Sequence, residues 1–420
     1  MAELPNVPNV PNVIVGAGLA GLACAQRLHK AGVPFLLVDA SDRVGGRVRT
    51  EEVGGFRLDV GFQVLLTSYP EVVATLDLPQ LQLGHFRSGA LIRCDGKWAR
   101  IADPWREPQH LWATALSSAA NFADKLRVFG LRRDVGRGDL DRLFERPETT
   151  TRERLVEWGF SQRIINRFFG PFFGGVFLED ELDTSSRKFD YLFRLFSTGV
   201  AALPAGGMSR IPQQLAADLP NHLLRLGTPV RRVTSTSVAL ESGETIAAKR
   251  VVLACDPWNA ARLLGSDKTV RAHGAQTMYF AAPRPPIDEP ILLLNGEGAG
   301  IVRSLCVPSQ VSKGYAPDGQ ALVSVSLRGT ASSPLPEDLP SRVRMELGEW
   351  FGDAVQQWQH LRTFEIPQAL PAQDTIDLKW QQPRFANDPS GVIVCGDSHD
   401  VASIQGAMRS GREAAESLIG

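Results

Sequence analysis

The stretch that decides the fold reads Asn12-Val13-Ile14-Val15-Gly16-Ala17-Gly18-Leu19-Ala20-Gly21-Leu22-Ala23-Cys24-Ala25. Asn12 to Val15 is a short, largely β-branched apolar run. Leu22, Ala25, Leu28 and His29 follow at i, i+3, i+6 and i+7, so the period changes from strand to helix on the glycines. Gly32 and Pro34 stop the helix, and Phe35 to Val38 is a second apolar strand ending at Asp39. The spacing predicts a complete βαβ unit. In such a GxGxxG the first glycine permits a tight turn and the second lets a pyrophosphate approach the backbone. The third lets helix and strand pack closely, while the helix N-terminus supplies positive potential. A plain strand-turn-helix is the competing reading. Asp39 favours the dinucleotide: a carboxylate at the end of the second strand can accept both hydroxyls of an adenosine ribose, and it disfavours the 2′-phosphate of NADP.

Outward from this unit the texture alternates, and 420 residues predict two intimately joined domains. From about Leu81 to Pro204 a hairpin around Asp95-Gly96 precedes helical patterns at Leu111 to Ala123 and Leu155 to Phe196. The charged insert Arg132 to Arg146 reads as a solvated loop or helix face. Pro204-Ala205-Gly206-Gly207-Met208 marks a second change, followed by a helix and by strands at Pro229 to Val233 and Arg250 to Ala254. From about Leu264 to Pro371, alternating segments such as Gln276 to Ala281 and Ala321 to Leu327 predict a sheet, with a helix near Pro340 to Phe351. A strand at Gly391 to Cys395, a turn at Gly396-Asp397 and a helix from Gly406 to Ile419 come last. The expected fold is therefore α/β. After a flexible tail (1–10), a nucleotide-binding domain (11–80, 205–263 and 372–420) is interrupted twice by a mixed α+β substrate domain (81–204 and 264–371).

Lys plus Arg number 45 against 46 Asp plus Glu, so the net charge of -1 gives no reason to expect a nucleic-acid partner. Five cysteines without a CxxC pair read as reduced thiols, and the seven histidines show no metal spacing, so neither a disulfide framework nor a metal site is expected. No basic leader followed by an apolar run is visible, nor are there about 18 consecutive apolar residues. A cytoplasmic location is the expectation.

Val13 to Thr50, with Asp39-Ala40-Ser41-Asp42-Arg43-Val44-Gly45-Gly46-Arg47 near its end, resembles the FAD fingerprint of flavin amine oxidases, protoporphyrinogen oxidases and phytoene (carotene) desaturases. The RxGGR element separates that superfamily from NAD dehydrogenases; Asp39 stands where its members more often have Glu. The resemblance implies a Rossmann-like, glutathione-reductase-type domain holding FAD tightly and noncovalently. It assigns Gly16, Gly18, Leu19, Ala20, Gly21, Asp39 and Ala40 to the cofactor, with Arg43, Gly45, Gly46 and Arg47 around its pyrophosphate or adjoining sugar. Gly61 and Phe62 of Asp59-Val60-Gly61-Phe62-Gln63 would lie beside the flavin ring, and Val230 would present its backbone to the adenine. Gly396 and Asp397 would meet the ribityl or phosphate region. A helix N-terminus near Ala407 and Met408 would face flavin N1 and O2, where it stabilises negative charge on the reduced ring.

The resemblance implies an FAD-dependent oxidoreductase, and the flavin would supply the hydride chemistry. Ala402 to Ala407 is similar to the ending of plant and cyanobacterial carotene desaturases. Amine oxidases of the superfamily usually place a lysine on a substrate-domain strand, whereas Gln276-Thr277-Met278-Tyr279-Phe280 has none and Lys268 and Lys313 fall in loops. The leading expectation is dehydrogenation or desaturation of a hydrophobic, carotenoid- or isoprenoid-like molecule, with oxygen or a quinone as electron acceptor. An amine oxidase and a noncatalytic flavin-binding protein are the alternatives, since no catalytic acid or base is forced. Nine of twenty phenylalanines lie between Phe160 and Phe196. They read either as core or as an apolar tunnel or membrane-facing entrance, the latter compatible with peripheral membrane contact. Gln63 and Tyr69 read either as substrate-facing or as a buried hydrogen-bonded pair. His399 reads as a polar loop residue or a flavin or substrate contact.

Overall fold

The glycine-bearing segment forms β1 (Asn12–Val15), α1 (Leu19–Lys30) and β2 (Phe35–Val38). The computed structural model describes residues 10–103, 106–110, 117–267, 269–329, 337–376 and 391–419. β1 is buried along its whole length, which is why it reads as an unbroken apolar run rather than as alternation. It pairs in parallel with β2 on one side (Val13 opposite Leu36) and with Val251–Leu253 on the other (Val13 opposite Val251). Leu224–Arg225 adds to β2 and Ile393–Val394 to Val251–Leu253, giving a five-stranded parallel sheet with β1 at its centre. The helix Ile404–Ile419 crosses α1 so closely that a side chain at Gly411 would overlap the Ala20 carbonyl oxygen. The far end of the chain is thereby held over the first helix.

A seven-stranded sheet draws on other segments, in the order Gln359–Pro371, Ala272–Ala282, Ala321–Leu327, Val302–Cys306, Leu292–Asn295, Gly89–Cys94 and Lys97–Ala102. The last two form the expected hairpin. Asp95 (φ 52°) and Gly96 (φ 71°) both take left-handed backbone at its turn, the conformation that two-residue hairpins favour. A smaller hairpin, Thr50–Val53 and Phe56–Asp59, turns on Gly54-Gly55 and carries Asp59 inward.

The helical region differs in detail from its sequence reading. Leu155 to Phe196 is broken into three helices: Thr151–Glu157, a continuous helix over 162–177 with a π segment at Ile165–Phe169, and Ser186–Thr198. Leu178 in the left-handed region (φ 61°) ends the second of these helices. Apolar residues continue across the breaks, so periodicity alone cannot see them. Of the helix expected at Leu111 to Ala123, residues 111–116 lie outside the described residues. The helix present is Phe122–Val135, begun by a reciprocal capping box between Asn121 and Asp124, and it takes up the start of the charged insert. The last helix begins at Ile404, two residues before its expected start. Among the described residues no helix is long and apolar enough to cross a membrane.

Candidate functional site

The three glycines of the loop meet three different surroundings. Gly16 has φ +114°, and a Cβ there would stand 2.7 Å from the Ala254 carbonyl oxygen. A Cβ on Gly21 would overlap the Gly16 carbonyl oxygen, so this glycine lets α1 sit against the loop. Gly18 has an ordinary φ of -72°, and nothing lies within 4 Å of where its Cβ would be. Neither the backbone nor the protein's packing requires glycine at Gly18, which leaves space for something else to approach. An FAD pyrophosphate fits this cradle.

Around it, the Asp39 carboxylate accepts from the N–H of Ala17 (2.5 Å) and of Ser41 (2.7 Å), which clamps the loop while leaving lone pairs for ribose hydroxyls. Gly45 and Gly46 take positive φ (+121° and +58°), and the Gly45 N–H donates to the Ala17 carbonyl at 2.8 Å. Arg47 donates through Nη2 to Asp397 Oδ1 at 2.5 Å and through Nη1 to the Ala369 carbonyl at 3.0 Å. Burial opposes the Arg47 charge, but the attraction and hydrogen bond of Asp397 outweigh it and hold the guanidinium above its ordinary pKa. Residues from opposite ends of the chain thus close one side of the site.

These groups open into a single cavity of about 1240 Å³. That exceeds the roughly 300–1,000 Å³ of a pocket for one small ligand and leaves room for a substrate beside a cofactor. Gly16, Gly18, Leu19, Ala20, Asp39 and Ala40 line it, together with Gly45, Gly46 and Arg47. So do Gly61, Phe62, Val230, Gly396, Asp397 and Ala407. Three expected residues do not. Gly21 faces Gly16, Arg43 projects into solvent beside Asp42 (3.5 Å), and Met408 is fully buried among apolar neighbours. The cavity-facing helix end lies about a turn earlier than Met408. Ala402, Ser403 and Ile404 line the cavity, Ser403 Oγ accepts the Gly406 N–H (3.1 Å), and the Ala407 N–H already donates to the Ser403 carbonyl (3.0 Å). A serine before a helical run is the signal that could have located this start.

Sequence reasoning also missed Cys255, Asp256, Asn259 and Arg262, which line the cavity beyond the carboxyl end of Val251–Leu253, where open parallel sheets bind ligands. Asp256 caps the next helix through the Asn259 N–H at 2.9 Å. Burial pushes the Cys255 thiol up to about 12, so it is not a thiolate nucleophile at neutral pH.

At the other end, Phe168, Phe172, Phe173, Phe193 and Phe196 line the same cavity. Behind them Phe160, Phe169, Phe177 and Phe189 are buried core. Phe173 joins the layers, with ring centroids 4.8 Å from Phe189 and 5.1 Å from Phe172. The core and wall readings therefore apply to different rings. Asp103, which also lines the cavity, is paired with Arg132 at 2.8 Å and Arg106 at 3.8 Å. Gln63 and Tyr69 both line the cavity but do not pair: Gln63 donates to the carbonyls of Arg47 (2.9 Å) and Val60 (3.0 Å), while Tyr69 hydrogen-bonds to Ser403. Gln276 and Thr277 reach the cavity, whereas Met278, Tyr279 and Phe280 are buried in the sheet. Lys313 lies in a turn and Lys268 outside the described residues. His399 bonds Ser398 Oγ at 3.1 Å and is not part of the cavity lining. Among the described residues no three His, Cys, Asp or Glu side chains could hold a metal ion.

A family model described as flavin containing amine oxidoreductase matches residues 19–419. Polyamine oxidase 1 of Oryza sativa subsp. japonica is 27% identical over 364 residues, 78% of this chain and 67% of the rice protein. The phytoene dehydrogenase of Streptomyces griseus is 35% identical over 122 residues, 29% of this chain and 24% of that protein. Among solved structures, cyclohexylamine oxidase from Brevibacterium oxydans IH-35A superposes with a TM-score of 0.73 at 17% identity, covering 98% of this chain and 99% of that one. A likeness at that identity speaks for the fold alone.

Proposed function

The chain belongs to the flavin containing amine oxidoreductase family and is an FAD-dependent oxidoreductase. On that premise we propose that it dehydrogenates or desaturates a hydrophobic, carotenoid- or isoprenoid-like small molecule and passes the electrons to oxygen or a quinone. The observation that carries this reading is the continuity of one cavity from the glycine loop to the phenylalanine wall. An apolar chain is accommodated by such a wall. The Streptomyces relative, named a phytoene dehydrogenase, agrees with it.

In this reading FAD supplies hydride acceptance. Gly18 admits its pyrophosphate, Arg47 and Asp397 face it together, and the Val230 backbone meets its adenine. The helix beginning at Ile404 points its N-terminus at the flavin ring. The phenylalanine wall orients substrate and excludes water. We divide the chain accordingly, with 11–80, 205–263 and 372–420 as the FAD-binding unit and 81–204 and 264–371 as the substrate unit. Phe122 and Leu126 are exposed and also line the cavity, which supports peripheral contact of its mouth with a membrane, at the cytoplasmic side in this proposal.

The rice relative is named a polyamine oxidase, and oxidation of an amine with release of peroxide is the second reading. Anaerobic mixing of the holoenzyme with carotenes, porphyrinogens and amines decides between them. The flavin absorbance should bleach with the apolar substrates. Bleaching by amines alone would reverse the order, and bleaching by none would leave a flavin protein without turnover of these classes.

A further inference from the structure

The loop Pro204-Ala205-Gly206-Gly207-Met208 leads to a buried carboxylate. Asp59 ends the inner hairpin and is 4% exposed. Its Oδ1 accepts from the Thr50 hydroxyl (2.6 Å) and the Met208 N–H (2.9 Å), and its Oδ2 from the Tyr315 hydroxyl (2.7 Å). Gly207, at φ +101°, lets this loop press against Thr50, where a Cβ would stand 2.5 Å from the Thr50 hydroxyl. From the seven-stranded sheet the Tyr279 hydroxyl donates to the Asp59 carbonyl at 2.8 Å. The next residues, Val60, Gly61 and Phe62, line the cavity, and the Phe62 N–H donates to Thr277 of the same sheet at 3.2 Å.

We propose that Asp59 is a positioning residue of the oxidoreductase reaction, a carboxylate node that holds the Val60-Gly61-Phe62 backbone between the inner hairpin and the substrate sheet at a fixed place beside the flavin ring. The proposal rests on the placement of that ring beside Gly61 and Phe62. The groups facing the carboxylate are all neutral: Tyr279, Tyr315 and Cys306 are kept protonated by burial. Arg57 and Glu51 of the same hairpin are engaged elsewhere, with the Gly314 carbonyl and with Arg362 respectively. Among the described residues no cation pairs with Asp59, so its charge is held by hydrogen bonds alone. Burial accordingly pushes its carboxyl up to about 6, against the opposing hydrogen bonds from Thr50, Tyr315 and Met208. The node therefore changes charge near neutrality, and the bound flavin should report that change.

The test is the visible circular dichroism of FAD bound to the full chain, followed from pH 4.5 to 8.5. The wild type should show a transition near pH 6, and Asp59→Asn, which keeps the shape but cannot ionise, should lose it. Tyr315→Phe removes one donor to the carboxylate and should move the midpoint upward. It also keeps the proposal testable if Asp59→Asn fails to fold. A flat wild-type profile, an unchanged transition in Asp59→Asn, or a wild-type midpoint in Tyr315→Phe would overturn the proposal. Gly18→Val serves as the control: if it still binds FAD, the placement of the cofactor has failed rather than the role of Asp59.

Discussion

At the glycine end of the cavity side chains are absent where a ligand must come close, whereas at the phenylalanine end they are stacked two rings deep. The first end is polar and rigid: Asp39 clamps the loop, and Arg47 and Asp397 bridge opposite ends of the chain. The second consists of Phe173 and its neighbours, held by shape and burial. Damage at the first should remove the cofactor, and damage at the second should cost stability or substrate. The largest expected effects lie within the glycine end itself. Gly21→Val drives a side chain into the Gly16 carbonyl, with no flexible neighbour to yield, and should give little folded protein. Gly18→Val places its Cβ where nothing lies within 4 Å and should fold, yet purify colourless because the valine stands in the pyrophosphate space. Thermal melting and flavin absorbance on both variants check this. A yellow Gly18→Val protein would reduce the glycines to a structural turn.

Next in size is Phe173→Ala. Removal of a fully buried ring that touches both phenylalanine layers should cost about 3–5 kcal/mol of stability. FAD affinity in the surviving native protein should stay near wild type, measured by denaturant unfolding and by FAD titration of the apoprotein. Loss of FAD affinity in step with stability would mean that the two ends are one cooperative unit and that the contrast between them fails.

Arg47→Ala should be gentler and should fall on the opposite side of the comparison. Truncating a charge-assisted contact costs on the order of 1.5–3 kcal/mol, or roughly one to two decades in FAD affinity. Part of that loss is the buried Asp397 left without its partner. Excess FAD should restore the melting temperature by mass action. An affinity unchanged within error would place the cofactor phosphates away from this pair.

The glycine end was readable from the sequence because its requirements are local: a turn, a close approach and a helix start are each set within a few residues of Gly16, Gly18 and Gly21. The RxGGR glycines were legible only through the family resemblance, since close contacts of theirs, Gly46 against Gly18 and Gly45 against Pro212, come from elsewhere in the chain. Gly411 was not, because its contact is the Ala20 carbonyl, which sits far away in sequence. Leu224–Arg225 escaped because two paired residues carry no period. The division of the phenylalanines into core and wall could not be read either. Phe172 and Phe177 lie on one helix, yet Phe172 lines the cavity and Phe177 is fully buried behind it. Only the packing of Gly170–Phe177 against Ser186–Thr198 decides which ring faces the cavity. The node at Asp59 is not legible in sequence either, since its partners come from positions 50, 208, 279 and 315.

The smallest effect concerns Lys188, a cation buried behind the phenylalanine wall. It is 1% exposed, its ammonium lies 5.4 Å from the centre of the Phe177 ring, and among the described residues it has neither a hydrogen bond nor an ion pair. Burial pushes its pKa down from 10.5 to about 8, with Asp397 and Glu179 pulling the other way. Because the folded-state value is depressed, the unfolded chain binds more protons between about pH 8 and 10.5, so this group's contribution makes the protein more stable as pH rises through that window. Buried thiols and phenols titrate with the opposite sign at high pH, so the difference between wild type and a variant is the quantity to measure. Lys188→Met keeps an apolar stem and deletes the charge. It should be more stable than wild type by on the order of 1 kcal/mol at pH 7, and the gap should close towards pH 10. A Lys188→Met protein less stable at pH 7 would mean that contact with the Phe177 face and attraction to Asp397 and Glu179 exceed the desolvation cost. The phenylalanine end would then depend on a charge, and the contrast between the two ends would have to be redrawn around it.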